Sequence, residues 1–373
     1  MNIKFGSMAL ALSLGAFMSS PSHAHYNDSD GETLYTLSNA ANNSVYAYRL
    51  DTWGNVLSSK QFSTGGKGTG AGLGNQGALA LSEDQRYLFA VNAGSNEVSV
   101  FKVNNGSLIL LDHLMEKGVT PVSVAVNDDL VYVVNSGDDS IFGYKFDRRS
   151  GKLRSLNNSY KQLGATGTGA AQISFDKDGD TLVVTEKAID KITSFELNWN
   201  GIPVNSFTIN SSGKTPFGFA FGRGGKFFVS EAQGGAANGA TASSYQLKRD
   251  GQMELISGAV AVGQTAACWL ATTPNGRMAF TTDTPASSIS SFAIDRTGKL
   301  SLLNTQAAVA SKPTDLAMSN DGSLLYSLNT GDHTISIFGI ERNGNLENIT
   351  TINSIPAGAT GLIVIQDRDH DYR

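Results

Sequence analysis

Three carboxylates, Glu186, Glu231 and Asp283, each close a short β-rich run, at intervals of 45 and 52 residues. Carboxylates gathered at one place could move protons between water and an ester carbonyl. A neighbouring like charge or an apolar wall would bring such a group toward neutral pKa. Lys187 directly follows Glu186, and an ammonium there could bind a substrate anion and steady an oxyanion. Lys67, Lys117, Lys214 and Lys312 stand at comparable places, although scattered surface lysines are common. The plainer alternative is that the carboxylates hydrogen-bond the turns that follow them. Asn39, Asn92, Asn135 and Asn329 end equivalent runs and would do the same.

Other chemistries find fewer residues. Of the 5 histidines, His23 lies in the N-terminal leader, His25 and His370 are terminal, and His113 falls in an expected outer strand. His333 sits in a loop on the candidate face, where a Ser-His-Asp triad competes with an ordinary solvated histidine. Nothing has the His or Cys spacing of a zinc or haem site. The single cysteine, Cys268, excludes an intramolecular disulfide and a multi-thiolate zinc centre. No histidine accompanies it, so it is expected to pack as a small hydrophobe. The glycine-rich stretches 64–77 and 164–169 lack the strand-to-helix setting and the Gly-Lys-Ser/Thr ending of a phosphate loop. They are expected to frame a pocket mouth, with Gln76 and Gln172 near inner strands. Phe217 and Trp269 begin such strands and would form an apolar wall or pack between repeats. Asparagine and acidic oxygens converging on an axis would also suit Ca²⁺, but the expectation is a site without metal or cofactor.

The elements that position these residues come from a repeat. Aligning the second strand of each copy on the residue that ends it gives Asn39, Asn92, Asn135, Glu186, Glu231, Asp283 and Asn329, with a mean spacing of about 48 residues. Each copy holds four short alternating strands around Gly turns, so the expected architecture is all-β: a seven-bladed propeller of four-stranded antiparallel blades. The first copy lacks an inner strand, and residues 361–365 supply one, closing the ring. Dipeptides such as Asp178-Gly179, Asn200-Gly201 and Asn343-Gly344 assign the tight hairpins to one face. Longer connections (64–76, 164–172, 232–242, 258–267) and the seven anchor residues then fall on the other, the candidate functional face.

The chain has 373 residues, 40% hydrophobic and 16% charged, enough for a sizeable core. A net charge of -5 argues against nucleic acid and anionic membranes as partners. Residues 1–24 read as a secretory signal peptide: Lys4, an apolar stretch, then Ser22-His23-Ala24. Residues 25–32 form a lead, 33–366 the propeller and 367–373 a charged tail. The protein is therefore expected to be exported, to periplasm or medium.

The segments FAVNAGSNEV (89–98) and VYVVNSG (131–137) resemble repeats of seven-bladed propeller lactonases, a family with 6-phosphogluconolactonases and carboxymuconate-lactonising enzymes. GNQGAL (74–79), TEK (185–187), TPFGFAF (215–221) and QTAACW (264–269) are similar to an exported branch. The resemblance spans the mature chain. It implies a metal-independent lactonase or lactonising enzyme acting on a small anionic lactone or sugar acid; a monomer is expected. Glu186, Glu231 and Lys187 would carry the chemistry. Asn92, Asn135, Asp283, Asn329, Gln76, Gln172, Phe217 and Trp269 would bind substrate. Enzymes of the family often have Pro-His where this chain has Pro121-Val122, Pro216-Phe217 and Pro313-Thr314, so a histidine role does not carry over. A propeller that binds a ligand or protein through the same face, without catalysis, is the alternative.

Overall fold

The computed structural model describes residues 31–366 apart from Glu116, so the expected signal peptide, most of the lead and the charged tail lie outside the described residues. Seven antiparallel sheets follow one another around an axis. Blade 1 combines Thr360–Gln366, innermost, with Glu32–Leu37, Ser44–Leu50 and Val56–Ser63. The innermost strands of blades 2 to 7 are Leu79–Leu81, Pro121–Asn127, Ala170–Phe175, Pro216–Phe221, Ala267–Thr272 and Pro313–Met318. Second strands run outward-adjacent to them and end at Asn92, Asn135, Glu186, Glu231, Asp283 and Asn329.

Ring closure is the expected one. Glu32 pairs with Gln366 and Leu34 with Val364, so both ends of the propeller share one sheet. The Tyr326 hydroxyl of blade 7 donates to the Glu32 carboxylate across the seam. Apolar residues alternate toward neighbouring blades, and one cluster from blades 7 and 1 (Leu34, Tyr326, Leu328, Ile335, Leu362) packs the seam.

The hairpin face obeys local turn chemistry. Gly179, Gly276 and Gly322 have φ of 75°, 65° and 73°, the left-handed conformation glycine adopts freely. In blade 3 the outer strand breaks into Lys152–Ser155 and Lys161–Gln162. There Ser159 Oγ takes the Gly143 N–H at 3.0 Å, replacing a ladder bond. No helix among the described residues is long and apolar enough to cross a membrane.

Candidate functional site

The anchor residues share a local task. In blades 2 to 7 each ends a second strand with its side chain buried, and each meets a hydroxyl on the third strand of its own blade. Asn92 Nδ2 donates to Ser99 Oγ at 2.7 Å, Asn135 Nδ2 to Ser140 Oγ at 3.3 Å, and Asn329 Nδ2 to Ser336 Oγ at 2.8 Å. The Thr193 hydroxyl donates to Glu186 Oε1, and Ser290 Oγ lies 2.6 Å from Asp283 Oδ2. In blade 1 the equivalent position is Ser38, whose N–H bonds Ser44 O; Asn39 lies one residue beyond and holds Thr69 instead.

Glycines of the blade connections cover several anchors. A Cβ on Gly66, Gly118 or Gly213 would come within 2.5, 2.0 and 2.1 Å of the side chains of Asn92, Asn135 and Glu231. Glu231 is the most fully engaged carboxylate. Its Oε1 accepts from Ser211 Oγ (3.0 Å) and the Gly213 N–H (2.8 Å), and its Oε2 accepts from Thr241 Oγ1 (2.5 Å). Glu186 has one donor and an Oε2 with no partner among the described residues. Burial, opposed by Thr193 and Lys191, raises its pKa. Asp283 is pushed up to about 7, again by burial. The carboxylates thus point into their own blades, beneath the connections.

On the same face, Gly74, Asn75 and Gln76 cross the axis. Asn75 Oδ1 accepts from Thr360 Oγ1 of blade 1 at 3.1 Å, its amide donates to the Val122 carbonyl of blade 3, and its carbonyl accepts from Trp269 Nε1 of blade 6 at 2.7 Å. The Gln76 side chain bonds both Leu270 N (3.2 Å) and Leu270 O (3.0 Å), mimicking a β-ladder rung. Its N–H reaches Ala171 O of blade 4 at 3.1 Å. Gly218 of blade 5 makes room, since a Cβ there would sit 1.9 Å from Gln76 Oε1. Gln172 repeats the ladder mimicry on Phe219, at 2.7 and 3.0 Å.

Around this plug the structure gathers Lys187, Phe217, Trp269 and Cys268. The Lys187 ammonium donates to Gly74 O and Gly169 O, both at 2.9 Å, and lies 5.4 Å from the Phe217 ring centroid. Burial lowers its pKa. Phe217 and Trp269 rings meet at 5.0 Å, tilted by 53°. The Cys268 thiol, desolvated, is pushed up to about 12, and it faces both Lys187 and Asp283 electrostatically. In the loops of this face, Gly70, Gly72, Gly164, Gly167, Gly234 and Gly235 have nothing within 4 Å of the position a Cβ would take.

Two features escaped the sequence. A cavity of about 290 Å³, lined by Leu79, Val124, Asn127, Gln172, Ser174 and Asp176, runs along the inner strands of blades 2 to 4 toward the hairpin face. Its residues follow the strands from Gly77 and Gln172 to Asn127 and Asp176. Second, Asn96, Asp139 and Asp190, in left-handed turns, accept the N–H of Thr120, Thr168 and Thr215 at 2.8, 2.9 and 2.7 Å, tying each turn to the next connection. His333 occupies the same turn position in blade 7, φ 58°. Asx-type turn residues were the available signal. Among the described residues no group of three or more His, Cys, Asp and Glu is placed to hold a metal ion.

The geometry defines a seven-bladed propeller with a plugged axis and a small cationic–aromatic cluster beside the plug. The family model "Lactonase, 7-bladed beta-propeller" matches residues 16–165 and 235–360, and the chain belongs to that family. No match was found among curated protein sequences. A Bacteroides fragilis structure assigned as a 6-phosphogluconolactonase is 17% identical, covers 91% of this chain and 98% of its own, and has a TM-score of 0.71. A Lactobacillus plantarum structure is 16% identical over 90% and 100% of the two chains, TM-score 0.73. The periplasmic gluconolactonase of Pseudomonas aeruginosa is 14% identical over 91% and 99%, TM-score 0.72. At these identities the structures share the fold.

Proposed function

We propose that the protein is an exported lactonase that hydrolyses a small anionic lactone beside the axial plug, as a monomer and without a metal. The observation that carries this reading is Lys187. Its ammonium is partly desolvated, set over an aromatic ring and fixed by two carbonyls, which leaves one of its three N–H donors for an incoming oxyanion. Family membership and likeness to gluconolactonase folds support the reaction class.

In this proposal water adds to the lactone carbonyl, Lys187 stabilises the oxyanion, and the ring oxygen leaves with a proton. Glu186, whose unpartnered oxygen and raised pKa suit a base, is favoured over Glu231, whose oxygens hold three donors. Phe217, Trp269 and Gln76 would form the floor.

The test is a pH-indicator assay against sugar-acid and muconate lactones, with and without EDTA, using wild type, Lys187→Met and Glu186→Gln. Turnover should survive EDTA, and Lys187→Met should cut kcat by about 100-fold, the order for losing an oxyanion donor. Folded protein that leaves the whole panel untouched would instead indicate a non-catalytic propeller.

A further inference from the structure

The second strands of blades 2, 6 and 7 end in Asn92, Asp283 and Asn329, and the seventh residue beyond each is a third-strand serine: Ser99, Ser290 and Ser336. In blade 2 the Asn92 amide donates to Ser99 Oγ at 2.7 Å, and Ser99 passes its own hydrogen to the Thr64 carbonyl at 2.7 Å. In blade 7 the Asn329 amide donates to Ser336 Oγ at 2.8 Å. Blade 6 keeps the spacing: Ser290 Oγ lies 2.6 Å from Asp283 Oδ2 and 2.7 Å from the Thr305 carbonyl oxygen.

A serine hydroxyl has one hydrogen, and a carbonyl oxygen only accepts. If Asp283 were ionised, Ser290 would offer that hydrogen to two acceptors. Ser288 Oγ, at 3.4 Å from the same Oδ2, is too distant to make good the loss. Asp283 is wholly buried, and its Oδ1 has no partner among the described residues, so ionisation would place charge on an unsolvated oxygen. We infer that Asp283 is stored as a neutral carboxylic acid, its hydroxyl replacing the asparagine amide and donating to Ser290, which then donates to Thr305. The inference goes beyond the lactonase reading and stands or falls without it.

The surroundings agree. The third and fourth strands of the blade, Ser288–Ile294 and Leu300–Val309, carry no titratable side chain. Cys268 faces Asp283 from the inner strand and stays protonated far above neutrality; Lys187 faces Cys268 in turn. Asp315, on the neighbouring inner strand of blade 7, is turned to the N–H groups of Leu316, Gly361 and Leu362. Burial drives the carboxyl pKa upward against the pull of Ser290, Ser288 and Thr281.

Difference infrared spectroscopy of wild type minus Asp283→Asn should show a protonated-carboxyl band below about pH 7 that disappears above it. Absence of the band at acid and neutral pH overturns the inference. Unfolding midpoints give a second readout. Asp283→Asn should match wild type near pH 4 and gain on it until about pH 7, levelling off there. A flat difference, or an Asn variant that loses ground as pH rises, would sink the idea. Should Asp283→Asn fail to fold, Ser290→Ala serves: the band should shift but persist, and its loss counts against the stored acid.

Discussion

A glycine and a glutamine show how little freedom single residues have at the centre of this ring. Gly218 has no side chain where Gln76 Oε1 would be 1.9 Å from a Cβ, and the Gln76 amide is held at both ends by Leu270. Gly218→Ala must therefore move the plug or the inner strand of blade 5. A loss of about 1–3 kcal/mol is expected, the usual penalty of overpacking, measured by urea denaturation. Cys268 is held by desolvation in its thiol form, with a pKa pushed up to about 12. Native protein at pH 8 should react negligibly with a disulfide reagent, and one thiol should appear on unfolding. Lys187 is legible in sequence as a loop cation after a strand. Its two carbonyl partners are not, because Gly74 is 113 residues away.

At the scale of the element, a strand end governs the connection above it. Glu231 gathers Ser211, the Gly213 N–H and Thr241, so one carboxylate fixes the approach to blade 5. Glu231→Ala leaves those donors unpaired and should cost about 3 kcal/mol, whereas Glu231→Gln retains the strand but must discard one donor. Thermal unfolding of both variants distinguishes this from a chemical role, which would leave stability unchanged. Turn dipeptides and alternation were enough to place the strands, since both act over a few residues. The direction of the anchor side chains was harder to see. It depends on a hydroxyl five to ten residues later and on a glycine of the blade connection, as Gly213 over Glu231 shows. Likewise the plug at 74–76 looked like one more flexible loop, because its bonds to blade 6 span 194 residues.

Across the whole molecule, buried carboxyls shape the response to pH. Burial pushes the Asp283 and Asp315 carboxyls up to about 7 and about 8, well above the ordinary carboxylate range. A raised carboxyl contributes stability that is full below its unfolded pKa and lost as pH climbs through the folded one. Stability should thus decline from about pH 4 to about pH 8, and Asp315→Asn should make that fall shallower throughout and end it near pH 7. Urea midpoints at unit pH steps test this; midpoints that rise toward pH 8 would contradict it. Hairpins and alternation made the ring readable, and seven repeats made it unmistakable, whereas titration depends on burial that emerges only when blades pack.

The pairing of Glu32 with Gln366 has a further meaning in time. A ribosome makes the second strand of blade 1, Glu32–Leu37, long before its innermost partner, Thr360–Gln366. Until that last strand emerges, no amount of local folding can close the circle, and the open edge at residues 32–37 must be kept from pairing elsewhere. Closure therefore waits on the synthesis of residues 360–366. A product that stops before residue 360 is left with an open strand edge at residues 32–37.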